Sequence, residues 1–147
     1  RRTASGAEFE QVDLPPLPVV VIDSGSAGNT ADMGARVAAQ RARLETELNA
    51  MGTLLDATMP ALQAGDLGAI GSAWQENHRL LQAIGVSTPT LDTIVQLSMT
   101  AGAAGAKLAG AGGGGVVIAI ADDVGAIVQA ATTAGFKAFA TASYPVS

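Results

Sequence analysis

Two stretches of this chain carry residue types suited to chemistry on anions. The first is Lys107-Leu108-Ala109-Gly110-Ala111-Gly112-Gly113-Gly114-Gly115, in which five of nine residues are glycine. Glycine enters left-handed backbone regions freely and lets a phosphate or another backbone approach with no Cβ in the way. Successive N–H groups in such a turn can form a concave anion site, to which Lys107 would add charge. A tight hairpin packed on another part of the protein accounts for the same glycines equally well. The second stretch is Asp23-Ser24-Gly25-Ser26-Ala27-Gly28-Asn29-Thr30, where hydroxyls and free amides lead into a helix start whose dipole favours anions. An ordinary capped helix, with Asn29 or Thr30 as the cap, also explains it.

The other polar candidates read as structure. His78 is the only histidine, on or beside the apolar face of a helix, where a packed, hydrogen-bonded role outranks acid or base. Asn77 is treated with the same reserve, and Trp74 is a core residue. Glu45, Glu47, Asp56, Asp66, Asp92, Asp122 and Asp123 fall on polar faces or caps, and none forms a pair placed for acid–base work. No metal site is expected. Cysteine is absent, which removes disulfides, thiolate chemistry and cysteine-based zinc sites and is compatible with a cytoplasmic location. The formal net charge is −5, with Arg36, Arg41 and Arg43 the only basic group, so a nucleic-acid face is excluded.

The elements that would position these loops follow from periodicity and punctuation. At 147 residues, 48 % hydrophobic and 3 % aromatic, the chain has the size and composition of one domain packed by small aliphatic side chains. Val19 to Ile22 reads as a short buried strand. Met33, Val37, Leu44, Leu48, Met51 and Leu55 recur at helical spacing, giving one long amphipathic helix or a kinked pair. Pro60 is expected in the first turn of a new short helix, with Gly65-Asp66 as its stop and the next N-cap. Leu67, Ile70, Trp74, His78 and Leu81 share a face of that next helix, which Gly85 ends. Thr88-Pro89 opens another, with Leu91, Ile94, Val95 and Met99 as its stripe and Gly102 as its stop.

The runs 106–109 and 116–120 read as strands, so the glycines join strand to strand. That context excludes a Walker loop or a dinucleotide fingerprint, each of which leads from a strand into a helix. Asp122 or Asp123 caps a helix of Val124, Ile127, Val128 and Ala131, closed by Gly135, and 136–142 is the last strand. Residues 1–12 alternate weakly around Ala7, Phe9 and Val12, as an edge strand would, before Pro15, Pro16 and Pro18. The order predicts an α+β two-layer sandwich, a ferredoxin-like antiparallel sheet with helices on one face. Ala103 to Ala121 is low in charge, but its glycine density argues against a membrane span.

Gly105-Ala106-Lys107-Leu108-Ala109-Gly110-Ala111-Gly112-Gly113-Gly114-Gly115-Val116 resembles the third, C-terminal motif of the GHMP superfamily, the kinases of galactose, homoserine, mevalonate and phosphomevalonate. Asn77-His78-Arg79-Leu80-Leu81-Gln82-Ala83-Ile84-Gly85-Val86-Ser87 and Leu91-Asp92-Thr93-Ile94-Val95 are similar to the segment that precedes this motif in mevalonate kinases. Val19-Val20-Val21-Ile22-Asp23-Ser24-Gly25-Ser26-Ala27-Gly28-Asn29-Thr30 resembles the strand and loop that open the C-terminal domain of the same enzymes. The resemblance implies that 19–147 is a GHMP kinase C-terminal domain and that 1–18 is a strand or linker remnant leading from an N-terminal domain.

The same resemblance implies an activity. It is ATP-dependent phosphoryl transfer to the hydroxyl of a small-molecule substrate, mevalonate first, in isoprenoid biosynthesis. ATP and Mg²⁺ would be bound mainly by an N-terminal kinase domain, in the same gene or on a separate chain. The serine-rich phosphate loop and the aspartate-bearing motif of that domain are not in this sequence, so these residues alone are expected to be inactive. A homodimer is left open; nucleic acid and membrane are not expected partners. Thr30 matches a threonine near the transferred phosphate and is the expected catalytic contact. Ser26, Gly28, Asn29, Lys107, Ala109, Gly110, Ala111, Gly112, Gly113, Gly114 and Gly115 would shape the cleft. Ala109 stands where mevalonate kinases usually carry threonine or serine, which makes a GHMP-type sugar kinase the alternative. A stand-alone, non-catalytic α+β binding module is the third reading.

Overall fold

The computed structural model describes residues 2–3, 6–7 and 12–143. Strands β1 (Arg2–Thr3) and β2 (Gly6–Ala7) pair only with each other, in an antiparallel ladder apart from the main sheet. Residues 2–3 and 6–7 of the expected N-terminal edge strand are therefore not part of that sheet, and Phe9 lies outside the described residues. Pro15 and Pro16 lack the N–H groups that would carry pairing on toward the next strand.

The main elements are β3 (Pro18–Asp23), α1 (Thr30–Ala39), α2 (Glu45–Ala64), α3 (Leu67–Ala83), α4 (Pro89–Thr100), β4 (Gly105–Ala109), β5 (Val116–Ile120), α5 (Val124–Thr133) and β6 (Lys137–Ala142). The four-stranded sheet runs β4-β5-β3-β6 with every neighbouring pair antiparallel. From β3 onward this is the ferredoxin-like order, two split β-α-β units interleaved so that β3 and β5 lie at the centre.

Most helix starts obey their caps. Asp66 Oδ1 accepts from Ala69 N–H at 3.0 Å, Thr88 Oγ1 from Leu91 N–H at 3.3 Å, and Asp123 Oδ1 from Ala126 N–H at 3.0 Å. The kinked-pair alternative is the one that forms, since Gln40 to Leu44 leave the helical path between α1 and α2. Pro60 is a correction. It lies inside α2 instead of opening a new helix, so one intrahelical bond is forgone. Ala61 and Leu62, just beyond it, pack on buried Leu17, Ile70 and Ile120, and that burial holds the helix continuous through the proline.

One face of the sheet carries buried Val20, Ile22, Ala106, Leu108, Val117 and Ala119, packed with Leu91 and Ile94 of α4 and Ile127 and Ala131 of α5. The register sets a row across the other face from Lys107 through Ile118 and Val21 to Phe139. Phe139 ends that row with 59 % of its surface exposed. Helix α3 runs along edge strand β4 close enough for their backbones to touch at Gly71 and Gly105. Among the described residues no helix is long and apolar enough to cross a membrane.

Candidate functional site

The glycine hairpin between β4 and β5 folds down onto the loop between β3 and α1. Gly115 N–H donates to the Ser26 carbonyl at 2.8 Å, and Ser24 N–H donates to the Gly115 carbonyl at 3.0 Å. On the other side Gly113 N–H donates to the Val86 carbonyl at 2.8 Å, tying the hairpin to the turn between α3 and α4. The steric fit requires glycine. A Cβ on Gly28 would overlap the Gly112 carbonyl, one on Gly112 would overlap the Val86 carbonyl, and one on Gly114 would lie 2.6 Å from the Ser26 oxygen. Gly112 also has φ +86°, in the left-handed region that other residues enter at a cost. Two of the turn's N–H groups are thus committed to carbonyls, and a ligand would meet its remaining amides.

The loop itself is pinned from within. Asp23 Oδ1 accepts Gly25 N–H at 2.9 Å, and the buried Ser24 hydroxyl lies 3.3 Å from that of Ser26. Asn29 caps α1, its Oδ1 accepting from Ala31 N–H at 3.0 Å and Asp32 N–H at 3.2 Å. Thr30 is the first residue of α1, and Ser26, Gly28, Asn29 and Thr30 are all exposed. Asp32 in the first turn partly offsets the positive helix end. The structure therefore brings Ser26 and Gly28 against Gly112, Gly114 and Gly115, two stretches some eighty residues apart in sequence, with Asn29 and Thr30 following at the start of α1. Beside them an open cavity of about 610 Å³ is walled by Asp23 to Ala27, Gly115 and the start of β6 at Lys137.

Lys107 is placed elsewhere. It lines a cavity of about 120 Å³ with Leu54, Thr58, Trp74 and Asn77, between α2, α3 and the sheet. Burial pushes its ammonium below the usual lysine value. Asn77 Oδ1 faces no hydrogen-bond partner among the described residues. Ala109 closes β4 opposite Val116, and its methyl provides no hydrogen bond there.

His78 is buried and uses both ring nitrogens. Nε2 lies 3.0 Å from Asp92 Oδ1, and Nδ1 accepts Leu108 N–H at 3.3 Å. Asp92 Oδ1 also accepts the Ser87 hydroxyl at 2.6 Å. Burial would raise the Asp92 carboxyl, but hydrogen bonds from Ser87, Gln82 and His78 together hold it below the usual aspartate value. One helical turn before His78, Gln75 of α3 donates to the Ala104 carbonyl at 3.1 Å. Gln75 and the Val86 carbonyl were not legible as supporting groups, because no local pattern marks a group that bonds a partner nearly thirty residues away, and Ser87 and Asp92 take part only through His78 and Val86.

The fold and the site together define a ferredoxin-like α+β domain whose glycine hairpin is locked onto a helix-opening loop. Residues 58–138 match the family description "GHMP kinases C terminal", and the chain belongs to the GHMP kinase family. It is 39 % identical over 123 residues to the mevalonate kinase of Pyrococcus horikoshii, covering 78 % of this chain and 37 % of that protein. With the mevalonate kinase of Thermococcus gammatolerans it shares 37 % identity over 136 residues, 86 % of this chain and 40 % of the relative. The crystal structure of L. major mevalonate kinase in complex with R-mevalonate superposes with a TM-score of 0.87 at 29 % identity, covering all of this chain and 48 % of that one. The chain thus spans less than half the length of the relatives it matches.

Proposed function

We propose that the chain is the C-terminal domain of an ATP-dependent kinase that phosphorylates a hydroxyl of mevalonate, with residues 1–18 leading from an N-terminal domain. The observation that carries this is the interlock of the glycine hairpin with the Ser24–Asn29 loop, which presents Thr30 at a helix N-terminus on the rim of the joined loops. The likeness to several mevalonate kinases supports the choice of acceptor.

The residues present fit one wall of a phosphate site. Thr30 offers a hydroxyl, and the amides at the start of α1 and in the hairpin offer donors. Among the described residues no three His, Cys, Asp or Glu side chains gather to hold a metal ion. The family resemblance implies that nucleotide and Mg²⁺ would be held mainly by the part of the relatives' length that this chain does not span. Bound there, ATP would supply the phosphoryl group and Mg²⁺ would offset the charge on its phosphates. Thr30 contacts the transferring group from the helix start, and the hairpin fixes the loop that carries Thr30. The exposed Phe139 at the end of the open sheet row is assigned to contact with the remainder of the kinase.

A GHMP-type sugar kinase is the second reading, and Ala109 is the residue that favours it. Acceptor-dependent ADP release separates the two: Mg-ATP is offered with mevalonate, phosphomevalonate, homoserine and several hexoses in turn, using the protein together with its N-terminal domain. Turnover on mevalonate alone is the expected result. Turnover on a hexose alone would replace the acceptor, and silence on all of them would leave a domain of the family without the kinase activity.

A further inference from the structure

Strand β4 is the edge of the sheet, so its outward N–H and C=O groups have no strand to pair with. Helix α3 takes the place of that strand with two side chains one turn apart. Gln75 donates to the Ala104 carbonyl at 3.1 Å, and His78 Nδ1 accepts Leu108 N–H at 3.3 Å. A buried amide left without an acceptor is costly, which explains a ring nitrogen on an otherwise apolar helix face.

The same imidazole reaches the opposite support of the hairpin. Its Nε2 bonds Asp92, Asp92 bonds Ser87, and the neighbour of Ser87 is Val86, whose carbonyl holds Gly113. His78 therefore stands between the strand that enters the hairpin, two residues before Gly110, and the turn that grips its tip. The partners also set the tautomer: the carboxylate takes the Nε2 hydrogen, and Nδ1 must present a lone pair to Leu108 N–H.

We propose that His78 is a positioning residue for the glycine hairpin, holding it against the Thr30 loop through Leu108 on one side and through Asp92, Ser87 and Val86 on the other. Its bearing on catalysis rests on the kinase reading, whereas its action on the hairpin does not. The tests are amide hydrogen exchange in the full chain and the ¹⁵N spectrum of the imidazole. In His78→Phe the amides of Gly113 and Gly115 are expected to exchange about tenfold faster, with Ile22 and Val117 unchanged. His78→Gln, whose amide can both accept and donate, is expected to restore most of the protection. Wild-type ¹⁵N shifts are expected to show the Nε2–H form.

Equal acceleration at Val117 and at the hairpin, no acceleration at either glycine, or a hydrogen on Nδ1 would each overturn the proposal. If His78→Phe does not fold, the wild-type tautomer and the His78→Gln exchange pattern still decide it. A hairpin that loosens in a protein turning over no acceptor would remove the kinase reading and leave this one standing. Turnover on mevalonate with the hairpin indifferent to residue 78 would do the reverse.

Discussion

Gly71 of α3 and Gly105 of β4 pack main chain against main chain: a Cβ on Gly105 would overlap the backbone of Gly71, and one on Gly71 would overlap the Ala104 carbonyl. This contact lets the helix lie close enough to the edge strand for Gln75 and His78 to bond it.

Gly105→Ala is therefore expected to destabilise the fold by about 3 kcal/mol, since neither backbone can move aside without breaking the edge pairing. Gly52→Ala provides the contrast. Gly52 lies in α2 with open space where a Cβ would sit, and alanine there is expected to stabilise by about 0.5–1 kcal/mol. Urea unfolding midpoints of the two variants should move in opposite directions.

Thr30→Ala removes a hydroxyl from an exposed position, so stability should change little. On the kinase reading kcat should fall about 100-fold, as for loss of one donor to a developing charge, with the KM for mevalonate much less affected. Steady-state kinetics check this, and a change confined to KM would mean that Thr30 serves binding alone.

Gly112→Ala combines a strained φ with an overlap on the Val86 carbonyl. The hairpin must shift, and a displacement of about 1 Å at a positioning element can cost on the order of 100-fold in rate. Val86 belongs to the core, so the thermal midpoint should fall together with kcat/KM in this variant; an unchanged midpoint would show that the turn yields without disturbing the core.

Asp92 makes stability depend on pH. Its carboxyl is held below the unfolded value despite burial, by hydrogen bonds from Ser87, Gln82 and His78, so folding favours the ionised form. That contribution is present above about pH 4 and is lost as pH falls through the depressed native value. Thermal unfolding followed from about pH 6 to 3 should show a shallower decline for Asp92→Asn than for wild type; parallel curves would assign the acid sensitivity to other groups.

Lys107 works in the opposite sense. Burial lowers its native value, so the cost of holding it charged is at full strength below that value and vanishes above about pH 10.4. Lys107→Met should raise the neutral-pH unfolding midpoint and flatten the alkaline rise in stability. A lower midpoint would show that the ammonium has a stabilising partner.

Much of the architecture was legible from the sequence because its causes are local. Asn29, Asp66, Thr88 and Asp123 cap the helices that their side chains can reach within three residues, and the β-branched run of β5 needs no distant partner to be extended. The order of elements then left few sheet arrangements, and the ferredoxin-like one formed. The glycine hairpin was legible for the same reason: its backbone angles require the residue type. Tertiary structure decided what the local signals could not reach. Pro60 stayed inside α2 because burial of Ala61 and Leu62 offset a lost hydrogen bond. Lys107 was carried to the α2–α3 side by the two-residue period of β4, away from the hairpin it adjoins in sequence. His78, Asp92 and Ser87 became supports of the hairpin only when α3 docked on the edge of β4, since a buried amide accepts whichever acceptor the fold brings near it.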